Sequence, residues 1–239
     1  MRREPLGNGF FVEVSENHTF GTDAVLLANF AAPRKKDTLV DLGTGCGIIP
    51  LLMLRDGAPK SAIGVEISDE AVELAQRTVA ELGIENFSVL HADLCDLSGK
   101  LPFGCHTLVT CNPPYKANGA GLQNPVARQA VARHEISCTL RDVVFTAARL
   151  LQTAGRFCVC HRPERLGELM SLMHEAKLEP KRLRLVCQRK GEEPWLVLVE
   201  GKKGAHTGLR IAPTLYVEED GKLSPEMVAI YGPYKEGHL

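Results

Sequence analysis

The chain has 239 residues, 44% of them hydrophobic and 24% charged, with a formal net charge of −1. That size and balance fit one soluble α/β domain with elaborations and exclude a polycation. No apolar run reaches the about 18 residues that a membrane helix needs, and no signal-peptide stretch follows Met1-Arg2-Arg3-Glu4-Pro5, so a cytoplasmic chain without membrane contact, monomeric by preference, is expected.

Residues 7–19 read as a short hairpin or extended lead-in, followed by a helix over 24–30. Strand-like and helix-like stretches then alternate. Residues 38–42 form a strand and about 47–55 a helix; 62–67 form a second strand and 69–82 a helix, with Ser68 or Asp69 as N-cap and Gly83 as stop. Strands follow at 87–91 and 106–111. A helix over 139–151 carries apolar residues at Leu140, Val143, Val144, Ala147 and Leu150. A fifth strand at 155–160 precedes a helix at 163–176 with proline in its first turn. Residues 183–187 and 195–200 lack an intervening helix and predict an antiparallel hairpin. The tail, with Pro213, Asp220-Gly221, Pro225 and Pro233, predicts a strand pair around the Asp-Gly turn and a helical turn near 225–230. The alternation implies a mostly parallel sheet with helices on both faces. One domain is expected over 1–239: a lead-in to 37, a core over 38–201 and an extension over 202–239.

Asp41-Leu42-Gly43-Thr44-Gly45-Cys46-Gly47 leaves the first core strand and enters a helix. Glycines at 43, 45 and 47 permit a sharp turn and close approach of a ligand. Dinucleotide enzymes use similar turns, so the pattern alone is weak. The carboxylates that follow add weight. Glu66, in Gly64-Val65-Glu66-Ile67, ends the second strand and suits ribose hydroxyls. Asp93, in His91-Ala92-Asp93-Leu94, follows the third and suits an adenine amino group. Asp41 suits the charged amino-acid end of a cofactor. Each acid alone is an ordinary cap or surface charge. Three at successive strand ends, where open α/β sheets bind ligands, point to S-adenosylmethionine (SAM).

Asn112-Pro113-Pro114-Tyr115 ends the fourth strand. Consecutive prolines stiffen the loop and leave its carbonyls as acceptors. The Asn112 side-chain oxygen and the Pro113 carbonyl suit the two N–H groups of a planar amine, holding its lone pair toward a methyl donor. Tyr115 offers a ring for stacking. The plain alternative is a rigid turn.

The eight cysteines include no Cys-x-x-Cys pair and read as free, mostly buried thiols, with no metal expected. Between 177 and 210, nine Lys/Arg stand against four Glu. Such a stretch is either a solvated sheet edge or a face for a phosphate backbone, with Lys181, Arg182 and Arg184 as candidate contacts.

Residues 18–115 resemble the amino-methyltransferases that modify adenine N6, cytosine N4, guanine N2 or glutamine amides. The resemblance implies a seven-stranded Rossmann-like sheet ending in an antiparallel hairpin. It also places Thr22 and Asp23, in Phe20-Gly21-Thr22-Asp23, near the methionine end of SAM. Four later stretches resemble the bacterial tRNA1(Val) adenine-N6 methyltransferase family: Ala132-Arg133-His134-Glu135, His161-Arg162-Pro163-Glu164-Arg165-Leu166, Pro180-Lys181-Arg182-Leu183-Arg184 and Leu198-Val199-Glu200-Gly201. That family implies N6-methylation of an anticodon-loop adenosine in tRNA, with the base flipped into the pocket. Lys116 departs from the aromatic or apolar residue expected after Tyr115, and suits a phosphate instead.

The alternatives are a protein glutamine methyltransferase, whose extra helical domain has no counterpart in the short stretch before Phe20, and an rRNA guanine-N2 enzyme, which usually carries Phe after the prolines. DNA adenine methylation would need a target-recognition region. An inactive SAM-fold binding module is the reading from another class; the intact Asp41, Glu66, Asp93 and Asn112 speak against it.

Overall fold

The computed structural model of the chain describes residues 1–113 and 138–232. Its elements run β1 (Arg2–Gly7), β2 (Phe10–Val14), α1 (Thr22–Ala31), β3 (Thr38–Leu42), α2 (Ile48–Arg55), β4 (Ser61–Glu66), α3 (Asp69–Leu82), β5 (Phe87–His91) and β6 (His106–Cys111). After the undescribed stretch come α4 (Leu140–Leu150), β7 (Leu151–His161), a 3-10 turn (Pro163–Arg165), α5 (Leu166–Glu175), β8 (Leu178–Cys187), β9 (Pro194–Lys203), four two-residue strands and α6 (Pro225–Tyr231). The short strands are β10 (Arg210–Ile211), β11 (Leu215–Tyr216), β12 (Glu218–Glu219) and β13 (Lys222–Leu223).

The sheet reads β10-β8-β9-β7-β6-β3-β4-β5, with β11 also on β8. β5, β4, β3, β6 and β7 are mutually parallel; β9 runs antiparallel between β7 and β8. The seven expected core strands are all present. β10 and β11 extend them, pairing parallel with the outer edge of β8. Two residues are too few to show a period of two in the sequence, whereas an uncovered strand edge in the fold needs a partner.

Side chains along the central strands alternate between two cores, as a sheet buried on both faces requires. Leu39 and Leu108 join α1 and α2 on one side; Val40, Leu42 and Val109 join α4 on the other. α4 begins with a capping box: the Thr139 side chain accepts from Asp142 N–H, and the Asp142 carboxylate accepts from Thr139 N–H. The β1–β2 hairpin packs on α2 and α3. α6 packs on α1, where Tyr231 and Thr22 share a hydroxyl–hydroxyl hydrogen bond of 2.9 Å. Among the described residues no helix is long and apolar enough to cross a membrane.

Candidate active site

Parallel register carries β3, β4, β5 and β6 to one common rim. Leu42 stands beside Val65 and Cys111, and Glu66 beside His91. The glycine turn, Glu66, Asp93 and Asn112 therefore leave the sheet on the same side, where open α/β sheets receive ligands.

Gly43, Gly45 and Gly47 have φ of 69°, 55° and 84°, a left-handed backbone that favours glycine. A Cβ at Gly43 or Gly45 would meet nothing within 4 Å, so the space above the turn is open. A Cβ at Gly47 would lie 3.2 Å from the Phe87 ring, so this glycine also lets α2 close onto the sheet.

Asp41 sits beneath the turn rather than at its surface. It is fully buried, and its two oxygens accept from Thr44 Oγ1 at 2.7 Å and Thr110 Oγ1 at 2.6 Å. Burial pushes its carboxyl up to about 7, the two hydroxyls working against that rise. With no exposed surface, Asp41 braces the turn; a direct contact with a cofactor ammonium is closed to it in this structure.

Glu66 is also engaged. Its carboxylate accepts from Gly45 N–H at 2.8 Å, Ile67 N–H at 2.8 Å and Ser68 N–H at 2.9 Å, clamping the glycine turn to the start of α3. A carboxylate has about four lone-pair sites, so Glu66 has room for one further donor. Binding both ribose hydroxyls would displace the Gly45 amide. Ile67 beside it is 40% exposed, an apolar residue bared at the rim. Asp93, half-buried, accepts from Cys95 N–H at 2.8 Å, and Leu94 follows it. These features fit an adenosyl group: open glycines for close approach, carboxylates for its polar edges and Ile67 for a flat apolar face.

Thr22 and Asp23 form the first turn of α1, with Asp23 Oδ1 accepting from Ala24 N–H at 2.9 Å. Nearby, His18 Nε2 bonds Ser68 Oγ at 3.1 Å, tying the lead-in to the β4–α3 turn.

Asn112 follows β6, whose Cys111 pairs with Val159 of β7. The next position on β7 is Cys160, and its thiol donates to Asn112 Oδ1 at 3.0 Å. That contact turns the amide carbonyl toward β7. Pro113 is buried. His161, 2% exposed, accepts from Arg162 N–H at 2.8 Å; burial pushes it down to about 4 and keeps the ring neutral. Tyr115 and Lys116 lie outside the described residues, as do 132–135.

The basic stretch has internal employment. Lys181 donates to His206 O at 3.1 Å. Arg182 pairs with Glu200 at 3.0 Å, donates to Phe30 O and lies over the Phe30 ring at 4.0 Å. Arg184 donates to Pro213 O at 2.9 Å and pairs with Glu226 at 2.7 Å. Their work in this structure is to strap the extension and α1 to β8. Thr44, Thr110 and Cys160 are the residues that sequence reading passed over. Each reads as ordinary turn or strand, and only strand register brings the latter two to Asp41 and Asn112.

A sequence model of the methyltransferase small domain family matches residues 15–170. A tRNA1(Val) (adenine(37)-N6)-methyltransferase of Porphyromonas gingivalis is 28% identical over 228 residues, covering 90% of this chain and 87% of that protein. A crystal structure of a predicted O-methyltransferase from Agrobacterium tumefaciens superposes with a TM-score of 0.70 at 23% identity, covering 87% of this chain and 95% of that one. A geranyl diphosphate C-methyltransferase from Streptomyces coelicolor, solved with S-adenosyl-L-homocysteine, superposes with a TM-score of 0.55 at 16% identity, covering 76% and 80%.

Proposed function

The chain belongs to the methyltransferase small domain family, and from that premise we propose that it methylates the N6 nitrogen of an adenosine in tRNA, with SAM as donor. The observation that carries this reading is the shared rim: the open glycine turn after β3 and the Asn112-Pro113 acceptor pair after β6 leave adjacent parallel strands on the same side. The name carried by the Porphyromonas relative supports adenosine in tRNA as substrate, and the S-adenosyl-L-homocysteine in the Streptomyces neighbour supports the donor.

SAM, when bound, supplies an electrophilic sulfonium methyl. The chain holds the acceptor. Asn112 Oδ1 and the Pro113 carbonyl each take one N–H of the adenine amine, which keeps the nitrogen lone pair free and favours the positive charge it gains during transfer. The nitrogen–carbon bond forms as the carbon–sulfur bond breaks, and the extra proton leaves the nitrogen afterwards, so no strong base is required. The Cys160 thiol, donating to Oδ1, sets which way the Asn112 amide faces. Glu66 and Asp93 would hold the polar edges of the adenosyl group, Ile67 and Leu94 would line its ring, and Thr22 and Asp23 in the first turn of α1 would serve its methionine end. Tyr115 stacks on the flipped base and Lys116 reaches a phosphate. The whole chain acts as one domain, a reading supported by the Thr22–Tyr231 bond between lead-in and extension.

The test is transfer of labelled methyl to total tRNA, rRNA, DNA and protein, followed by nucleoside and amino-acid analysis. N6-methyladenosine in tRNA is expected. Label in N5-methylglutamine or N2-methylguanosine would replace the substrate and keep the donor.

A further inference from the structure

Cys95, Cys138 and Asp142 stand outside the transfer machinery, yet their ligand atoms all lie within 4.8 Å of one another. They come from two separate elements. Cys95 closes the turn after β5, held there by its own N–H on Asp93 Oδ1 at 2.8 Å. Cys138 precedes α4, and Asp142 belongs to its first turn. Five of the other cysteines are buried, at 46, 111, 158, 160 and 187, and the exposed Cys105 stands apart from any such cluster among the described residues; its thiol donates to Pro102 O, as the Cys138 thiol does to Thr139 O. We propose that Cys95, Cys138 and Asp142 bind a thiophilic divalent cation of the zinc class.

The donor set suits that ion: two sulfurs and one carboxylate oxygen, with a fourth position open to water. Around a tetrahedral zinc such atoms stand about 3.5–3.8 Å apart, given metal–sulfur and metal–oxygen bonds of about 2.3 and 2.1 Å. The ligand atoms, all within 4.8 Å of one another, therefore need to close by at most about 1 Å to reach that geometry. The outer contacts are already in place. Thr139 N–H and Oγ1 both donate to Asp142 Oδ2, at 2.9 and 2.6 Å, which orients the carboxylate and leaves Oδ1 for the metal. Asp93 adds a second carboxylate to the same field. Exposure of Cys95 gives the ion an entry path. Bound there, the ion would fasten the turn bearing Asp93 to the start of α4. The inference does not rest on the methyl-transfer reading.

The test uses the full chain, reduced and metal-stripped, dialysed against zinc and titrated with cobalt(II). One zinc per chain and a cobalt–thiolate charge-transfer band are expected. Cys95→Ser and Cys138→Ser should each roughly halve the band intensity per bound cobalt and weaken zinc binding, the double variant should abolish the band, Asp142→Asn should weaken zinc binding by about 10-fold or more, and Cys105→Ser should leave it unchanged. Because Asp142 also caps α4, a second measurement stays on the unmutated chain: zinc should shield Cys95 and Cys138, and not Cys105, from alkylation read by peptide mass. Zinc binding unchanged in the Cys95/Cys138 double variant, or no shielding of the pair, would overturn the site.

Discussion

Two parts of the same sheet treat charge in opposite ways. At the rim of β3, β4, β5 and β6, acids are spent on bracing the turn: Glu66 grips three backbone amides and Asp41 two threonine hydroxyls, while the space above the turn stays open. At the antiparallel margin of β7, β9 and β8, cations are spent on acids and carbonyls. Arg156 is buried against Asp37 at 2.9 Å and Glu200 at 3.3 Å, Arg182 shares Glu200, and Arg184 holds the extension. Three cations of the basic stretch thus have partners inside the fold: Arg182 an acid on the neighbouring strand, Arg184 a helix carboxylate and Lys181 a backbone carbonyl.

The sharpest way to break that contrast is to remove its buried cation. Arg156→Ala leaves Asp37 and Glu200 without their shared guanidinium, and should destabilise the fold by about 3–5 kcal/mol, read from denaturant unfolding. A loss under about 1 kcal/mol would show that the margin is solvated after all. On the rim, Asn112→Ala should slow methyl transfer by about 10²–10³-fold with SAM affinity retained, read by single-turnover kinetics and calorimetry. Cys160→Val should lose part of the rate and Cys160→Ser should regain it. Equal turnover of Asn112→Ala and the parent would remove Asn112 from the chemistry.

Asp41 gives a smaller, pH-dependent signal. An unfolded aspartate titrates near 4, and burial raises the folded carboxyl to about 7. Between those values the folded state holds a proton that the unfolded chain has released, so this group favours folding most at low pH and loses that contribution as pH rises toward 7. Asp41→Asn should flatten that slope, measured as denaturation midpoints at about pH 5 and about pH 8. A slope unchanged in the variant would assign it elsewhere. The smallest effect is expected at Lys181 and Arg184. Their alanine variants should loosen the extension by about 1 kcal/mol or less, seen as faster amide exchange around 206–216, with the salt dependence of RNA binding unaltered. A shallower salt slope would return them to the RNA face.

The rim was legible because its signals are local. A glycine turn, an acid at the next strand end and a proline-stiffened loop each lie within a few consecutive residues. Residue partners were not legible where register decides them. Asn112 meets Cys160, Asp41 meets Thr110 and Arg182 meets Glu200 across strands 48, 69 and 18 residues apart in sequence. Nor does an acid at a strand end announce its exposure: Asp41 and Asp93 look alike in sequence, yet one lies fully buried and the other opens to the rim. The helix over 139–151 was readable through its period, and its capping box through Thr139 and Asp142.

The parallel strips that β10 and β11 lay along β8 have a consequence for handling the protein. A chain cut back before residue 210 would strip the partners from Arg182, Leu183, Val186 and Cys187 and bare that stretch of the outer edge of β8. Such an edge recruits strands from other molecules, so shortened versions should clump on storage even where the catalytic end is untouched. The little tail works as a guard rail against self-association.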